Sequence, residues 1–178
     1  LVEAGVSVDQ ARDDYDGAFP LMMAAKNGHF EVVRALVKAG ANVNQAQNSG
    51  VTALMEAANN GHIEVVRALV KAGANVNQVA NYGVTAIYFA VWDGHIEVVR
   101  ELVEAGANVR ARDDEALRGA SQNGREKVVT LLLKAGADVG ARDDEALRGA
   151  RANGRAKVET PLLEAGANVR AQHDAAPR

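Results

Sequence analysis

The sequence predicts an all-α solenoid, formed by a single array of stacked helix-turn-helix repeats. Two series of glycines recur at one constant interval in the first half of the chain. The series are Gly17, Gly50 and Gly83, and Gly28, Gly61 and Gly94. Further on, Gly94, Gly124 and Gly154 recur at an interval that is shorter by three positions. Because the apolar residues inside each repeat follow helical spacing, each helix needs a neighbouring repeat to bury its apolar face.

Each repeat is predicted to run helix, tight turn, helix and connector, as the repeat from Gly50 to Val76 illustrates. Thr52 can cap the first helix, and Gly61 suits the left-handed conformation that ends it. The apolar positions are Leu54, Ala57 and Ala58 in the first helix and Val65, Val66, Leu69 and Val70 in the second. Small alanines let neighbouring backbones approach closely, so stacking builds one continuous core.

Composition excludes several classes of protein. The net charge of −3 disfavours a nucleic-acid partner, because binding phosphates needs a concentrated positive field. The chain has no cysteine, and no apolar run approaches the roughly 20 residues that span a bilayer. We therefore expect a soluble, intracellular protein of the cytoplasm that binds neither nucleic acid nor membrane.

Two segments, GVTALMEAANNGHIEVVRALVKAGANVN and GVTAIYFAVWDGHIEVVRELVEAGANV, resemble ankyrin repeats. The family pattern is a glycine turn, TPLH-x-AA, GH, a V-V-x-L-L helix and GADVN, and the resemblance extends over essentially the whole chain. It implies a solenoid whose connectors project as hairpin fingers. The predicted boundaries within one domain of 1–178 are a partial repeat at 1–14, repeats at about 15–47, 48–80, 81–110, 111–140 and 141–170, and a tail at 171–178.

The partial repeat at the start of the sequence leaves two interpretations open. Leu1 to Gly5 repeat the residues Leu102 to Gly106, which close a second helix in the third repeat. The N-terminal edge is either a boundary of the ordered chain or an open surface that stacks on another chain. Apart from such stacking we expect a monomer.

The fourth and fifth repeats depart from the family pattern. The histidine of TPLH is replaced by Arg118 and Arg148, and the segment ARDDEALRGA occurs at both 111–120 and 141–150. Three residues are lost from each connector, so the fingers are expected to be shortened. The arginines form a predicted ladder that either receives an acidic partner or phosphate, or is neutralised by Glu115 and Glu145, three residues earlier.

The last repeat should be locally distorted. Pro161 falls inside its second helix, where a proline removes one hydrogen bond and costs about 3 kcal/mol. We expect this helix to be kinked or frayed. Glu159 replaces an apolar residue of the other repeats and is expected to face water on the terminal surface.

The sequence carries no recognisable catalytic or metal-binding set. His29, His62 and His95 occupy equivalent positions in successive repeats, which places them about 10 Å from one another on stacked helices. Metal ligands lie about 2 Å from the ion, so these histidines cannot share one metal, and we expect them to be structural. No serine lies in a Gly-x-Ser-x-Gly elbow. We predict no enzyme activity, no cofactor and no metal.

The candidate binding residues are those that vary between repeats on the concave side, which the ankyrin resemblance assigns to fingers and first helices. The third repeat is rich in large rings, and Trp92 occupies a position that is mostly polar elsewhere. Trp and Tyr are enriched at binding hot spots. The predicted partner-binding residues are Met23, Lys26, Glu56, Asn59, Asn60, Tyr82, Tyr88, Phe89, Trp92 and Asp93. The alternative is that the rings fill the core, which applies best to Tyr88.

These observations favour a non-catalytic module that binds another protein through its concave face. The alternative is an engineered or consensus-like ankyrin scaffold without a natural partner. The repeat framework does not identify the partner, because framework residues are shared by proteins with different ligands.

Overall fold

The computed structural model describes residues 8–10 and 17–167, and these residues confirm the predicted all-helical repeat fold. Ten α-helices follow one another in this part of the chain, and it contains no β-strand beyond an isolated bridge. The helices are α1 (Pro20–Lys26), α2 (Phe30–Lys38), α3 (Ala53–Asn59), α4 (Ile63–Lys71), α5 (Ala86–Asp93), α6 (Ile96–Glu104), α7 (Ala111–Gln122), α8 (Glu126–Lys134), α9 (Ala141–Ala152) and α10 (Ala156–Glu164). Among them, none combines the length and apolar character that a membrane crossing requires.

The helices fall into two compact units whose boundary lies between Ala107 and Asn108. In the first unit α3 packs between α1 and α5, and α4 packs between α2 and α6. In the second unit α7 packs on α9, and α8 on α10. Odd-numbered helices therefore form one layer of each unit and even-numbered helices the other.

The core is built from the small and branched residues that the periodicity predicts. Ala57 and Ala58 of α3 are fully buried, as are Val66 and Leu69 of α4. Close packing of alanines brings first helices together, while the larger aliphatic side chains fill the space between the two layers. In the second unit, Leu117 of α7 and Leu147 of α9 are buried in the same way.

The turn between paired helices needs glycine for two reasons, as Gly61 shows. Its φ is +71°, in the left-handed region that L side chains rarely adopt. A Cβ atom there would also lie 2.6 Å from the ring of His95 in the next repeat. The Gly-His pair of the repeat pattern is thus a contact between neighbouring repeats.

Hairpin fingers are present in the connectors of the first unit. In one finger Gln47 donates its N–H to Val51 O at 3.0 Å, and in the next Ala80 donates to Val84 O at 2.8 Å. A backbone hydrogen bond of 2.9 Å from Asn81 N–H to Ser49 O joins the two fingers. The fingers are therefore linked to each other as well as to their helices.

The shortened connectors of the second unit replace the hairpin with a left-handed turn. Arg112, Asp113 and Asp114 have φ values of 54°, 54° and 58°, and the identical segment 142–144 repeats this conformation. Left-handed backbone costs about 1–2 kcal/mol per residue for side chains other than glycine, with Asp among the better tolerated. Three consecutive residues of this kind require stabilising contacts from their surroundings.

Those contacts come from the arginines that replace the family histidine. Arg148 donates from Nη2 to Arg142 O at 2.9 Å and from Nε to Asp143 O at 3.0 Å. Arg118 makes the corresponding bond to the carbonyl of residue 112 at 3.4 Å. Both arginines therefore hold the turn of their own repeat, a role that the long guanidinium side chain can fill and the shorter histidine cannot.

Arg118 is also neutralised, but its partner differs from the predicted one. The buried guanidinium pairs with Glu145 of the following repeat, whereas Glu115 pairs with Arg112 at 2.6 Å. The hydrogen bond from Arg118 lowers the pKa of Glu145. The prediction of internal neutralisation is confirmed for Arg118, and the prediction that a glutamate of the same helix provides it is wrong.

Asp114 links the turn to the next connector. Its buried Oδ1 accepts the backbone N–H of Asp138 at 2.7 Å, and Arg110 lies 3.8 Å from its other oxygen. Burial raises the pKa of Asp114 above its ordinary value of 3.8, and these two neighbours only partly oppose that shift. Burial disfavours the charged form of this carboxylate, but the carboxylate satisfies the backbone N–H of Asp138.

The predicted fraying around Pro161 is wrong. Helix α10 continues through the proline, and the N–H of Ala165 donates to Pro161 O at 3.1 Å. Val158 and Leu162 are fully buried, so packing of this face holds the helix together despite the missing hydrogen bond. Glu159 does not simply face water, since it accepts from Arg151 at 3.1 Å.

Candidate functional site

Three aromatic rings form a cluster on α5. The ring centroids of Tyr88 and Phe89 are 6.0 Å apart in an edge-to-face arrangement, and those of Tyr88 and Trp92 are 6.0 Å apart and tilted. These separations lie within the range of favourable aromatic pairs. The structure therefore brings together three of the ten residues predicted to bind a partner.

The cluster is not part of the core. Helix α5 buries Ala86, Ile87, Ala90 and Val91, which form its packing face. Tyr88 and Phe89 are half-buried, and 49% of Trp92 is exposed. Aliphatic residues thus fill the space beneath α5, and the rings lie at the edge of that packing with the indole partly open to solvent.

Tyr82 lies apart from these rings, in the finger that precedes α5. It is 91% exposed, with a φ of 63° in the short 3-10 turn Asn81–Gly83. Val79, in the same finger, is exposed as well, although the sequence did not single it out. The finger therefore presents an aromatic and an aliphatic side chain to solvent.

We call the surface formed by α1, α3, α5 and their fingers the finger face. Equivalent positions of its three helices recur once per repeat, so neighbouring helices carry matching positions side by side. One row is Met23, Glu56 and Phe89, and the next is Lys26, Asn59 and Trp92. Met23 and Lys26 are exposed, whereas Glu56 and Asn59 are half-buried. In these two rows the finger face carries aromatic rings in its third repeat and a mixture of apolar, polar and charged side chains in the others.

The histidines of the Gly-His turns have structural contacts, in agreement with the interpretation from the sequence. His62 Nε2 lies 3.0 Å from Lys26 O, and His95 Nε2 lies 3.1 Å from Asn59 O. For either bond to form, Nε2 must carry the ring proton. Each histidine therefore ties its repeat to the last turn of the preceding first helix.

Asn60 has a structural contact that the sequence interpretation missed. Its side-chain amide donates to Glu56 O at 2.8 Å, which satisfies a carbonyl at the end of α3. Asparagines at the corresponding position of three other repeats make the same bond. They are Asn27 to Met23 O, Asn123 to Gly119 O and Asn153 to Gly149 O, at 2.8 to 2.9 Å. Asn60 thus belongs to the framework that ends each first helix.

Asp93 occupies this capping position in the third repeat. A carboxylate has no proton to donate, so it cannot make the bond that the asparagines make. It also places negative charge at the C-terminal end of α5, where the helix dipole favours positive charge. Asp93 is exposed and directly follows Trp92. Comparing the five repeats position by position would have revealed this difference from the sequence.

A groove of about 470 Å³ lies on the other layer of the first unit, between α2 and α4. The guanidinium of Arg34 stands 5.9 Å from the centre of the Phe30 ring there, and Arg67 pairs with Glu64 at 3.2 Å. In residues 8–10 and 17–167, no cluster of His, Asp or Glu is placed to hold a metal ion. The groove is thus bordered by surface ion pairs rather than by residues arranged for catalysis or metal binding.

Comparison with known families agrees with this architecture. A family model described as ankyrin repeats (3 copies) matches residues 1–80, 21–113 and 77–143. No curated protein matches the chain. Ankyrin repeats generally mediate protein–protein interaction, and proteins built from them are typically non-enzymatic.

Proposed function

Because the chain belongs to the ankyrin repeat family, whose repeats mediate protein–protein interaction, we propose that it is a non-catalytic module that binds a partner protein on a concave finger face. The observation that carries this proposal is the half-exposed Trp92, whose ring lies 6.0 Å from that of Tyr88 between centroids. Other repeats have Lys26, Asn59, Gln122 and Ala152 at this position.

The exposed part of the indole provides a useful amount of binding free energy. A Trp side chain buries roughly 200 Å² when fully covered, so about 100 Å² remains available at Trp92. At about 25 cal/mol per Å², covering that area contributes about 2.5 kcal/mol. The neighbouring ring of Tyr88 restricts the motion of the indole, which lowers the entropy lost on binding.

The proposed site extends from Trp92 across the first unit. Tyr88 lies beside the indole and Phe89 lies beside Tyr88, while Tyr82 reaches outward from the adjacent finger. The flanking contacts are Met23, Lys26, Glu56, Asn59, Asn60 and Asp93. The side-chain amide of Asn60 already donates one hydrogen bond to Glu56 O, so only its other hydrogen-bonding groups are available to a partner. A monomer located inside the cell is part of the same proposal.

A consensus-like scaffold explains this surface less well. A scaffold chosen for stability would repeat the asparagine cap in every repeat and place a polar residue at position 92. The chain instead has a half-exposed Trp92 beside Asp93, which lacks the capping bond. Two adjacent surface departures in a repeat that otherwise keeps the pattern of the second repeat favour recognition of a partner over optimisation of the array.

The proposal is tested by comparing partners captured from a cell lysate by the wild-type chain and by Trp92→Ala. Alanine is the residue of the last repeat at this position, so the fold should accept it. The matched control is Val32→Ala, which removes an apolar side chain of the same 49% exposure from α2. Binding of the captured partner is then measured by titration calorimetry, with Phe89→Ala as a second variant.

We expect Trp92→Ala and Phe89→Ala each to weaken binding by about 1 kcal/mol or more, and Val32→Ala to leave it unchanged. Circular dichroism should show the same helical content in all four proteins. A partner that binds Trp92→Ala as tightly as it binds the wild type would remove the finger face from the proposal.

A further inference from the structure

Charged side chains are distributed unevenly between the two layers of the first unit. Between residues 39 and 63 the only charged side chain is Glu56, and between residues 72 and 96 it is Asp93, with histidines counted as neutral. Among the described residues of this unit, the ion pairs lie on the second helices instead. They are Arg34 with Glu31, Arg67 with Glu64 and Glu101, and Arg100 with Glu97. The finger face of the second and third repeats is therefore negative.

Asp93 carries its charge at a cost to the helix that it ends. The residue gives up the amide bond that Asn60 makes in the neighbouring repeat, and its charge opposes the dipole of α5. Among the described residues of its own unit, Asp93 forms no ion pair that would offset this cost. A carboxylate in this position is better explained by an interaction outside the folded chain than by folding.

We propose that Trp92 and Asp93 together bind a cationic side chain, Lys or Arg, of the partner protein. The inference rests on the proposed function, since it specifies which partner chemistry fits the same finger face. The face of an indole attracts a cation through its ring quadrupole, and the adjacent carboxylate adds a charge-assisted hydrogen bond. Glu56, on the neighbouring helix α3, adds negative potential at longer range.

Other partner chemistries fit this surface less well. An acidic segment would bring like charges against Asp93 and Glu56, which disfavours association. A purely apolar segment that covered Trp92 would desolvate the neighbouring carboxylate without giving it a partner. A cationic side chain with an aliphatic stem avoids both penalties, because its methylenes cover the indole and its head group meets Asp93.

The test uses three synthetic peptides that differ only at their central residue, which is Arg, Gln or Glu. Trp92 is the single tryptophan of the chain, so intrinsic fluorescence reports binding at the proposed site. Each peptide is titrated to millimolar concentration at low salt and again at physiological salt. The proteins are the wild type, Asp93→Asn, and the charge-matched control Glu104→Gln, which removes one exposed carboxylate from α6.

We expect the Arg peptide to change the fluorescence with saturation, and the Gln and Glu peptides to bind at least about fivefold more weakly. Asp93→Asn should reduce the affinity for the Arg peptide by a similar factor, whereas Glu104→Gln should not. Binding should weaken with added salt, because the contact is partly electrostatic. Asparagine restores the capping bond, so a loss of affinity in this variant cannot be attributed to unfolding.

Failure of this inference differs from failure of the proposed function. Equal responses to the Arg and Gln peptides, or no response to any peptide, would overturn the cationic partner. Loss of partner capture by Trp92→Ala would still support binding at the finger face in that case. Partner capture that is insensitive to Trp92 would overturn the proposed function itself.

Discussion

Replacing Asp93 with asparagine should stabilise the folded chain. In four of the five repeats an asparagine at this position donates its side-chain amide to the carbonyl four residues earlier, at 2.8 to 2.9 Å. Asp93→Asn would direct the same amide toward Phe89 O at the end of α5. The substitution also removes a negative charge from the C-terminal end of that helix.

The expected gain follows from these two contributions. A hydrogen bond between neutral groups contributes about 0.5–1.5 kcal/mol, and the exposed location of Asn60 and its equivalents favours the lower value. Removal of the unfavourable charge–dipole interaction adds about 0.3–1 kcal/mol. The free energy of unfolding should therefore rise by about 1 kcal/mol, which corresponds to about 2–4 °C in Tm for a chain of this length.

The assay is urea unfolding at neutral pH, followed both by far-ultraviolet circular dichroism and by Trp92 fluorescence. Circular dichroism reports the whole array, and the fluorescence reports the third repeat. The reciprocal control is Asn60→Asp, which should lower the unfolding free energy by a similar amount because it removes the capping bond of α3. An Asp93→Asn midpoint at or below that of the wild type would refute the reasoning, since the capping bond and the charge change both predict an increase.

Three further predictions concern the framework. Arg118→Gln should destabilise the second unit by about 1.5 kcal/mol in urea unfolding, because the half-buried Glu145 carboxylate then keeps only Arg142, at 3.9 Å, and the left-handed turn loses a carbonyl contact; the conservative Arg118→Lys should recover only part of the loss. Burial raises the pKa of Asp114, so the unfolded chain loses this proton at a lower pH than the folded chain does, and the free energy of unfolding should fall as the pH rises above 3.8. Asp114→Asn keeps the acceptor oxygen and tolerates positive φ, so its urea midpoint at neutral pH should equal or exceed that of the wild type, and the difference should shrink as the pH falls toward 4; a difference that grows on acidification would contradict this sign. Gly61→Ala should lower Tm more than Gly73→Ala, since both have positive φ but only the first places a Cβ against a neighbouring ring, at 2.6 Å; equal shifts would exclude the ring contact.

Much of the fold is predictable because repetition multiplies weak signals. One glycine before a histidine indicates little, yet the same pair at a constant interval, as at 28–29, 61–62 and 94–95, requires a recurring turn. The contact of His62 with Lys26 O explains why the pair recurs, since glycine leaves room for the ring of the next repeat. Local preference, packing and spacing agree at these positions, so the sequence alone predicts them well.

The second unit is harder to predict, since its local structure depends on partners from other segments. The loss of three residues indicates a shorter connector but does not indicate its handedness. The left-handed turn at 112–114 becomes acceptable only when Arg118 reaches its carbonyl and Asp114 reaches the next connector. Likewise, the choice of Glu145 over Glu115 as the partner of Arg118 depends on how α7 and α9 pack, which spacing within one helix cannot reveal.

The candidate site shows a different limit of prediction from the sequence. Tyr88 and Trp92 are four positions apart and Phe89 and Trp92 three, a spacing that places side chains on one side of a helix, and the centroid distances from Tyr88 to the other two rings agree with it. The candidate positions on the first helices, however, are of two kinds. At Asn60 the shared residue ends a helix, whereas at Asp93 the departure from that residue removes the cap.

Folding and recognition place opposite demands on position 93, and this opposition makes the proposed site testable without a known partner. Most substitutions that weaken binding also weaken the fold, so reduced affinity alone does not separate the two causes. Asp93→Asn is expected to raise stability and to lower affinity for a cationic segment at the same time. A residue that merely belonged to a surface loop would change neither property, and a structural residue would change both in the same direction. A rise in stability together with a fall in affinity is therefore specific to a carboxylate that serves binding and lowers the stability of its helix.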